Sequence, residues 1–314
     1  MATIAEIAYR LTLHDPLVDP EQCKLDSSLM KELGANAIRV YHVDPNGDPD
    51  ECMKALADAG IYLFVDLDDF PTQIEEQSPI WSQKQVDAFK LTLDELQKYG
   101  NTAGVFVGSE VFTVANDSAA SPYFLAAARD IGAYRDSKDY RRIPVGYSAA
   151  DIAELCPMLR NYLVCREDES ERLDSFASTR TNETGCNTVR PRDFDDLNTI
   201  LGPEMTGTWS GALVYEWIEE LNNYGLITYG KVPEGDTSNP SALDGFSRRG
   251  APTPVNPDFT NLKSRFATLD PTGVALSDYS DRASESVGAG PTNLTASGGR
   301  AASPTSSNSS AGNR

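Results

Sequence analysis

Histidine is scarce in this sequence: two residues, His14 and His42, in a chain of 314. That leaves little material for a Ser-His-Asp hydrolase or a histidine-rich zinc site. Cysteine is sparse as well. Cys23, Cys52, Cys156, Cys165 and Cys186 are widely spread with no Cys-x-x-Cys pair, which argues against a metal cluster or thioredoxin-type chemistry. No metal and no cofactor is expected. Positive charge is also short, 27 Lys and Arg against 47 Asp and Glu, for a formal net charge of −20. Such a field repels phosphate backbones and anionic lipid, so nucleic acid is a poor partner, whereas a neutral substrate such as a sugar is compatible. No run approaches the roughly 18 apolar residues of a membrane-spanning helix. The first residues carry no basic segment followed by an apolar one, so a signal peptide is not expected, and the chain as written reads as cytosolic. Four Asn-x-Ser/Thr sequons, at Asn116, Asn182, Asn293 and Asn308, weigh little without evidence of secretion.

What is present is an alternation of apolar strands and amphipathic helices. Residues 35–42 form a β-branched run, residues 50–60 a helix with acid at its start and glycine at its end, and residues 61–66 a nearly continuous apolar strand. Ser82 caps a helix running to Tyr99, with Val86, Phe89, Leu93 and Leu96 at helical spacing. Strands follow at 105–107, 143–147 and 211–217, and helices at 121–136 and 191–201. This pattern implies a parallel sheet covered on both faces. No Gly-x-Gly-x-x-Gly or Gly-Lys-Ser/Thr loop marks an open dinucleotide- or nucleotide-binding sheet. Polar and aromatic residues instead sit where strands are expected to end: Tyr41, Asp66, Glu110, Tyr147, Glu183 and Tyr215. The expected fold class is therefore α/β, a (β/α)8 TIM-type barrel whose chemistry lies at the C-terminal strand ends. Residues 1–270 are assigned to this domain and residues 271–314, almost all Ser, Ala, Gly, Thr and Asn, to a disordered tail.

Two carboxylates stand out. Glu110 lies just past an apolar strand, where desolvation disfavours the ionised form and favours a working acid. Position alone also fits an ordinary charged residue at a strand-to-loop junction. Glu183 lies in Asn182-Glu-Thr-Gly-Cys-Asn187, and its local context equally fits loop decoration. Retaining glycosidases use two carboxyls about 5–5.5 Å apart, one as acid/base and one as nucleophile.

Residues 17–66, Gly104-Val-Phe-Val-Gly-Ser-Glu-Val111, Ala127-Ala-Arg-Asp130, Tyr140-Arg-Arg-Ile-Pro-Val-Gly-Tyr-Ser148 and Trp209-Ser-Gly-Ala-Leu-Val-Tyr215 resemble, in order, fungal β-1,3-glucanosyltransferases of glycoside hydrolase family 72. The resemblance implies an enzyme that cuts a β-1,3-glucan internally and passes the new reducing end to another glucan chain, donor and acceptor being its partners. It implies Glu110 as acid/base and Glu183 as nucleophile, with Tyr41, Asp66, Ser109 and Tyr215 lining the sugar subsites. It also implies a Cys23–Cys52 disulfide and a secreted protein, often lipid-anchored at the cell surface or in the wall. Aromatic stacking on Tyr41 and Trp217 would favour a sugar acceptor over water, although core packing explains Trp217 as well.

The sequence departs from that family in three respects. Ser109 stands where the family carries Asn before the acid/base, and its shorter side chain is expected to leave a contact to the sugar 2-hydroxyl unmade. Glu110 and Glu183 are 73 residues apart (183 − 110), where barrel strands four and seven should be separated by about 90. No apolar five-residue strand lies between Val164 and Glu183, so the sixth strand and most of the seventh are expected to be missing, and with them the partner cysteines of Cys165 and Cys186. Both ends are expected to be truncated, without leader or lipid-anchor signal. The alternatives are a catalytically impaired glucan-binding wall protein or a plain endo-β-1,3-glucanase.

Overall fold

The computed structural model describes residues 4–9, 15–69, 71–150, 152, 154–164, 173–178, 183–205, 211–232, 242–243 and 245–269. For residues 4–7, 9, 115–116, 175–178, 183 and 242–243 the description covers the backbone alone. The expected tail at 271–314, His14, Cys165, Asn182, Asn293 and Asn308 lie outside the described residues.

The chain opens with β1 (Ile4–Tyr9), α1 (Pro20–Leu33), β2 (Ala37–Val40), α2 (Asp50–Ala59), β3 (Tyr62–Asp66) and α3 (Gln83–Leu96). It continues with β4 (Thr102–Ser109), α4 (Ser121–Ser137), β5 (Val145–Ala149), α5 (Cys156–Leu163), β6 (Ser175–Ser178) and β7 (Glu183–Thr184). Then come α6 (Leu197–Ile200), β8 (Gly211–Val214), short strands β9 (Ile227–Thr228), β10 (Ala242–Leu243), β11 (Phe246–Ser247) and β12 (Thr253–Pro254), and α7 (Asp258–Thr268).

Local chemistry explains the boundaries. Asp19 caps α1 through the Gln22 amide at 3.2 Å, with Pro20 at the first helical position. The Gln85 side chain returns to the Ser82 N–H at 2.8 Å to start α3. Gly60, at φ 80, ends α2 in the left-handed conformation that glycine adopts without penalty. Every residue of β2 and β5 is buried, as expected of parallel strands covered on both faces.

Eight parallel strands pair in the order β6-β5-β4-β3-β2-β1-β8-β7. The first strand thus lies between the second and the eighth, and β6 and β7 are the two ends of the sheet among the described residues. Parallel pairing brings all the C-terminal strand ends to one edge. Helices α3 and α4 pack on β4, α4 also packs on β5, and Cys23 of α1 is disulfide-bonded to Cys52 of α2, as the resemblance implied.

Three expectations are corrected. The sixth strand is not missing: Ser175–Ser178 pairs with β5 in register Tyr147↔Phe176. Asp174 holds its start by accepting from Arg135 Nη1 at 3.0 Å and from the Val145 amide at 3.1 Å, so backbone pairing succeeds without an apolar run. The helix expected over 191–201 shrinks to Leu197–Ile200, because Phe194 sits at φ 53 and the Arg192 amide is spent on Asp258 rather than on a helical turn. Tyr147 lies inside β5, fully buried, rather than at a strand end.

Candidate active site

A charged residue in the middle of an apolar strand organises the C-terminal edge of the sheet. Arg39 of β2 is 2% exposed. Its Nε and Nη2 donate to Asp66 Oδ1 at 3.1 and 2.9 Å, and Nη2 also reaches Oδ2 at 2.9 Å. Nη2 further donates to Ser109 Oγ at 2.9 Å, and Nη1 to Ser148 Oγ at 2.7 Å. One guanidinium therefore ties β2, β3, β4 and β5 together, using the fork geometry that lysine lacks. Its carbon lies 4.7 Å from the centroids of both Tyr41 and Phe106, close enough for cation–π attraction. Burial raises the Asp66 carboxyl, and the Arg39 guanidinium works against that rise.

Tyr41, Asp66 and Ser109 thus come together around Arg39. Ser109 is not idle: its hydroxyl is engaged by Arg39. Two residues beyond Asp66, the half-buried Asp68 has its carboxyl pushed up to about 7, first by burial and then by the negative charge of Asp66.

Glu110 is the first residue after β4 and has a left-handed φ of 53. It is exposed, so the apolar wall does not desolvate it as expected from its strand-end position. Its backbone N–H donates to Ser148 O at 2.8 Å, and the next two amides, Val111 and Phe112, donate to the Tyr147 hydroxyl at 3.0 and 3.4 Å. Two residues earlier, Gly108 has no room for a side chain: a Cβ there would lie 2.3 Å from the Phe124 ring.

Glu183 opens the two-residue β7 in register with Leu213; its side chain lies outside the described residues. The chain that follows is tightly held. Thr184 Oγ1 donates to Asp196 Oδ1 at 2.7 Å. Arg192, also buried, donates from Nη1 to Gly185 O and Tyr215 O, both at 3.2 Å, and from Nη2 to Gly225 O at 3.3 Å. Its Nε is paired with Asp258 of α7 at 2.7 Å. Arg192 thereby clamps the end of β7 to the end of β8. Tyr215 follows β8 with its ring edge-on to Tyr224, centroids 5.3 Å apart. Trp217 is fully buried in the core, so the stacking role considered for it does not hold.

Arg39, Asp68, Arg192 and Asp258 were not singled out in the sequence, and Ser148 stood there only as the last residue of a family segment. Arg39 had a readable signal, a lone charge inside the run Ala37-Ile-Arg-Val40. The Arg192–Asp258 pair, 66 residues apart, had none.

The family model for glucanosyltransferases, glycoside hydrolase family 72, matches residues 4–182 and 180–243, two segments that meet beside Glu183. Among curated relatives, the chain is 37% identical over 286 residues to the 1,3-beta-glucanosyltransferase gel1 of Aspergillus fumigatus, covering 77% of this chain and 63% of that protein. It is 33% identical over 302 residues to the 1,3-beta-glucanosyltransferase PGA5 of Candida albicans, covering 84% of this chain and 44% of the relative. The chain thus spans about half the length of the curated relatives it matches. Among solved structures, Saccharomyces cerevisiae Gas2p in complex with laminaripentaose superposes with a TM-score of 0.77 at 32% identity, covering 88% of this chain and 67% of that one. A family match running from residue 4 to residue 243, joined by relatives above 30% identity and a solved structure at a TM-score of 0.77, shows that the chain belongs to the glucanosyltransferases of glycoside hydrolase family 72.

Proposed function

We propose that this protein is a 1,3-β-glucanosyltransferase built on a (β/α)8-type barrel, with Glu110 as acid/base and Glu183 as nucleophile. The observation that carries the reading is the parallel, consecutive strand order, which brings the end of β4 and the short β7 to the same edge of one sheet. In this reading Glu110 protonates the leaving sugar oxygen while a Glu183 carboxylate oxygen bonds the anomeric carbon, breaking an internal β-1,3 linkage. Glu110 then takes the proton from a hydroxyl of an incoming glucan, whose oxygen displaces Glu183 with the configuration retained overall. Tyr41, Asp66, Ser109 and Tyr215 shape the sugar subsites, with Arg39 holding the first three in place. The domain is assigned to residues 1–270 with a tail at 271–314, and the working place to the fungal cell surface or wall, where lipid anchoring belongs to the same proposal.

The test is incubation with β-1,3-gluco-oligosaccharides of one length. Products both longer and shorter than the substrate are expected, and both disappear in Glu110→Gln and in Glu183→Gln. Shorter products alone identify an endo-glucanase, and binding without turnover identifies an impaired glucan-binding protein. Either outcome overturns the proposal.

A further inference from the structure

Glu110 occupies a backbone conformation that a non-glycine residue holds only when its surroundings impose it, φ 53. What imposes it here is β5. Three consecutive amides, those of Glu110, Val111 and Phe112, donate to two adjacent residues of that strand, Ser148 through its carbonyl oxygen and Tyr147 through its phenol oxygen. A strand carbonyl is a generic acceptor, available at any position. The phenol is not: it reaches past the strand edge and accepts from the two residues directly after Glu110.

The Tyr147 ring is fully buried, with Phe112 and Phe124 each 5.2 Å from its centroid, so the hydroxyl position is fixed by packing. Burial, reinforced by the negative charges of Asp68 and Glu110, keeps the hydroxyl protonated. The oxygen keeps its acceptor capacity in that form.

We propose that Tyr147 is a positioning residue for the acid/base: its hydroxyl, by accepting from Val111 and Phe112, fixes the turn that aims Glu110 at the leaving oxygen. The inference rests on the reading of Glu110 as acid/base and adds a residue that acts only through it. A plain packing role would need the ring and not the oxygen, and this difference can be measured.

Tyr147→Phe removes the oxygen and keeps the ring. Two donors then separate positioning of the acid from general damage. A β-1,3-gluco-oligosaccharide expels a sugar hydroxyl that must be protonated, whereas a β-1,3-glucobiosyl fluoride expels fluoride, which needs little help from an acid. In single-turnover measurements, Tyr147→Phe should lower glycosyl-enzyme formation from the oligosaccharide about 10²-fold, as expected for a displaced catalytic group. Its rate of fluoride release should change less than about threefold, and KM for the oligosaccharide less than about twofold. Equal loss on both donors, or no loss on either, overturns the inference while leaving Glu110 as acid/base. A wild-type protein that turns over neither donor overturns the reading beneath it as well. Should Tyr147→Phe not fold, Tyr147→3-fluorotyrosine retains the ring and weakens the acceptor. The same split is then expected in smaller measure, and rates equal to wild type on both donors overturn the inference.

Discussion

Arg39 and Asp68 both answer to one carboxylate, Asp66, and with opposite results. The guanidinium stabilises the Asp66 charge through two oxygens, whereas Asp68 faces that charge as a second acid. Removing one member of a buried pair such as Arg39–Asp66 costs about 3–5 kcal/mol, against about 0–1 kcal/mol for an exposed pair such as Lys24–Glu21. The network around Arg39 therefore outweighs the surface ion pairs in setting the shape of the site. The raised carboxyl of Asp68 has a consequence for pH. Folded, it holds its proton up to about pH 7; unfolded, it releases it near its ordinary value of 3.8. Its contribution to stability is thus full below that ordinary value and is lost as pH rises through about 7. Denaturant unfolding across this range should show wild type losing stability relative to Asp68→Asn as pH rises, with the difference constant above about pH 8. Parallel curves for the two proteins would show that Asp68 is not the titrating group.

Among the elements, those with strong apolar periodicity were legible from the sequence and those built by long-range pairing were not. Residues 61–66 and the Val86, Phe89, Leu93, Leu96 stripe read directly as β3 and α3, because apolar burial alone decides them. Ser175–Ser178 did not, since nothing in Ser-Phe-Ala-Ser signals that Asp174 and β5 will receive it. Residues 191–201 read as a helix, but the Arg192–Asp258 pair takes their backbone elsewhere, and Asp258 lies 66 residues further along the chain on α7. In the candidate site, Glu110, Tyr41, Asp66 and Ser109 were proposed through resemblance, while Tyr147, which accepts from the amides after Glu110, and Ser148, which accepts from Arg39, stood only within a family segment. The cysteine pair was implied the same way. Closing α1 to α2 across a separation of 29 residues, it should contribute about 3–4 kcal/mol, chiefly by restricting the unfolded chain. The double substitution Cys23→Ser with Cys52→Ser is expected to lose that amount in chemical denaturation, and an unchanged midpoint would show that the helix contacts alone suffice.

At the scale of the whole molecule, pairing strength is unevenly distributed round the sheet. Strands β1 to β5 each pair on both sides, and the β1–β2, β1–β8 and β2–β3 ladders each run through four registered positions. By contrast β7 has two residues and one registered partner, β8, and β6 pairs with β5 alone among the described residues. Short, one-sided strands open locally at a lower free energy than strands with two neighbours, so stability should fall toward β6 and β7. The proposed nucleophile, Glu183, belongs to the least supported strand, whereas Glu110 follows one of the best supported. What compensates is side-chain clamping: Arg192 fastens Gly185, just past β7, to Tyr215 and, through Asp258, to α7. Native-state hydrogen exchange should therefore show the amides of β2, β3 and β4 exchanging only through global unfolding, and those of Ser175–Ser178 through smaller openings. If a β-1,3-gluco-oligosaccharide binds between Glu110 and Glu183 as proposed, it stabilises the native sheet over its locally opened states, so it should slow exchange at Thr184 and Gly185 by more than at β3. If ligand protects β3 and β7 alike, the sheet opens as a single unit and the two carboxylates share one rigid frame.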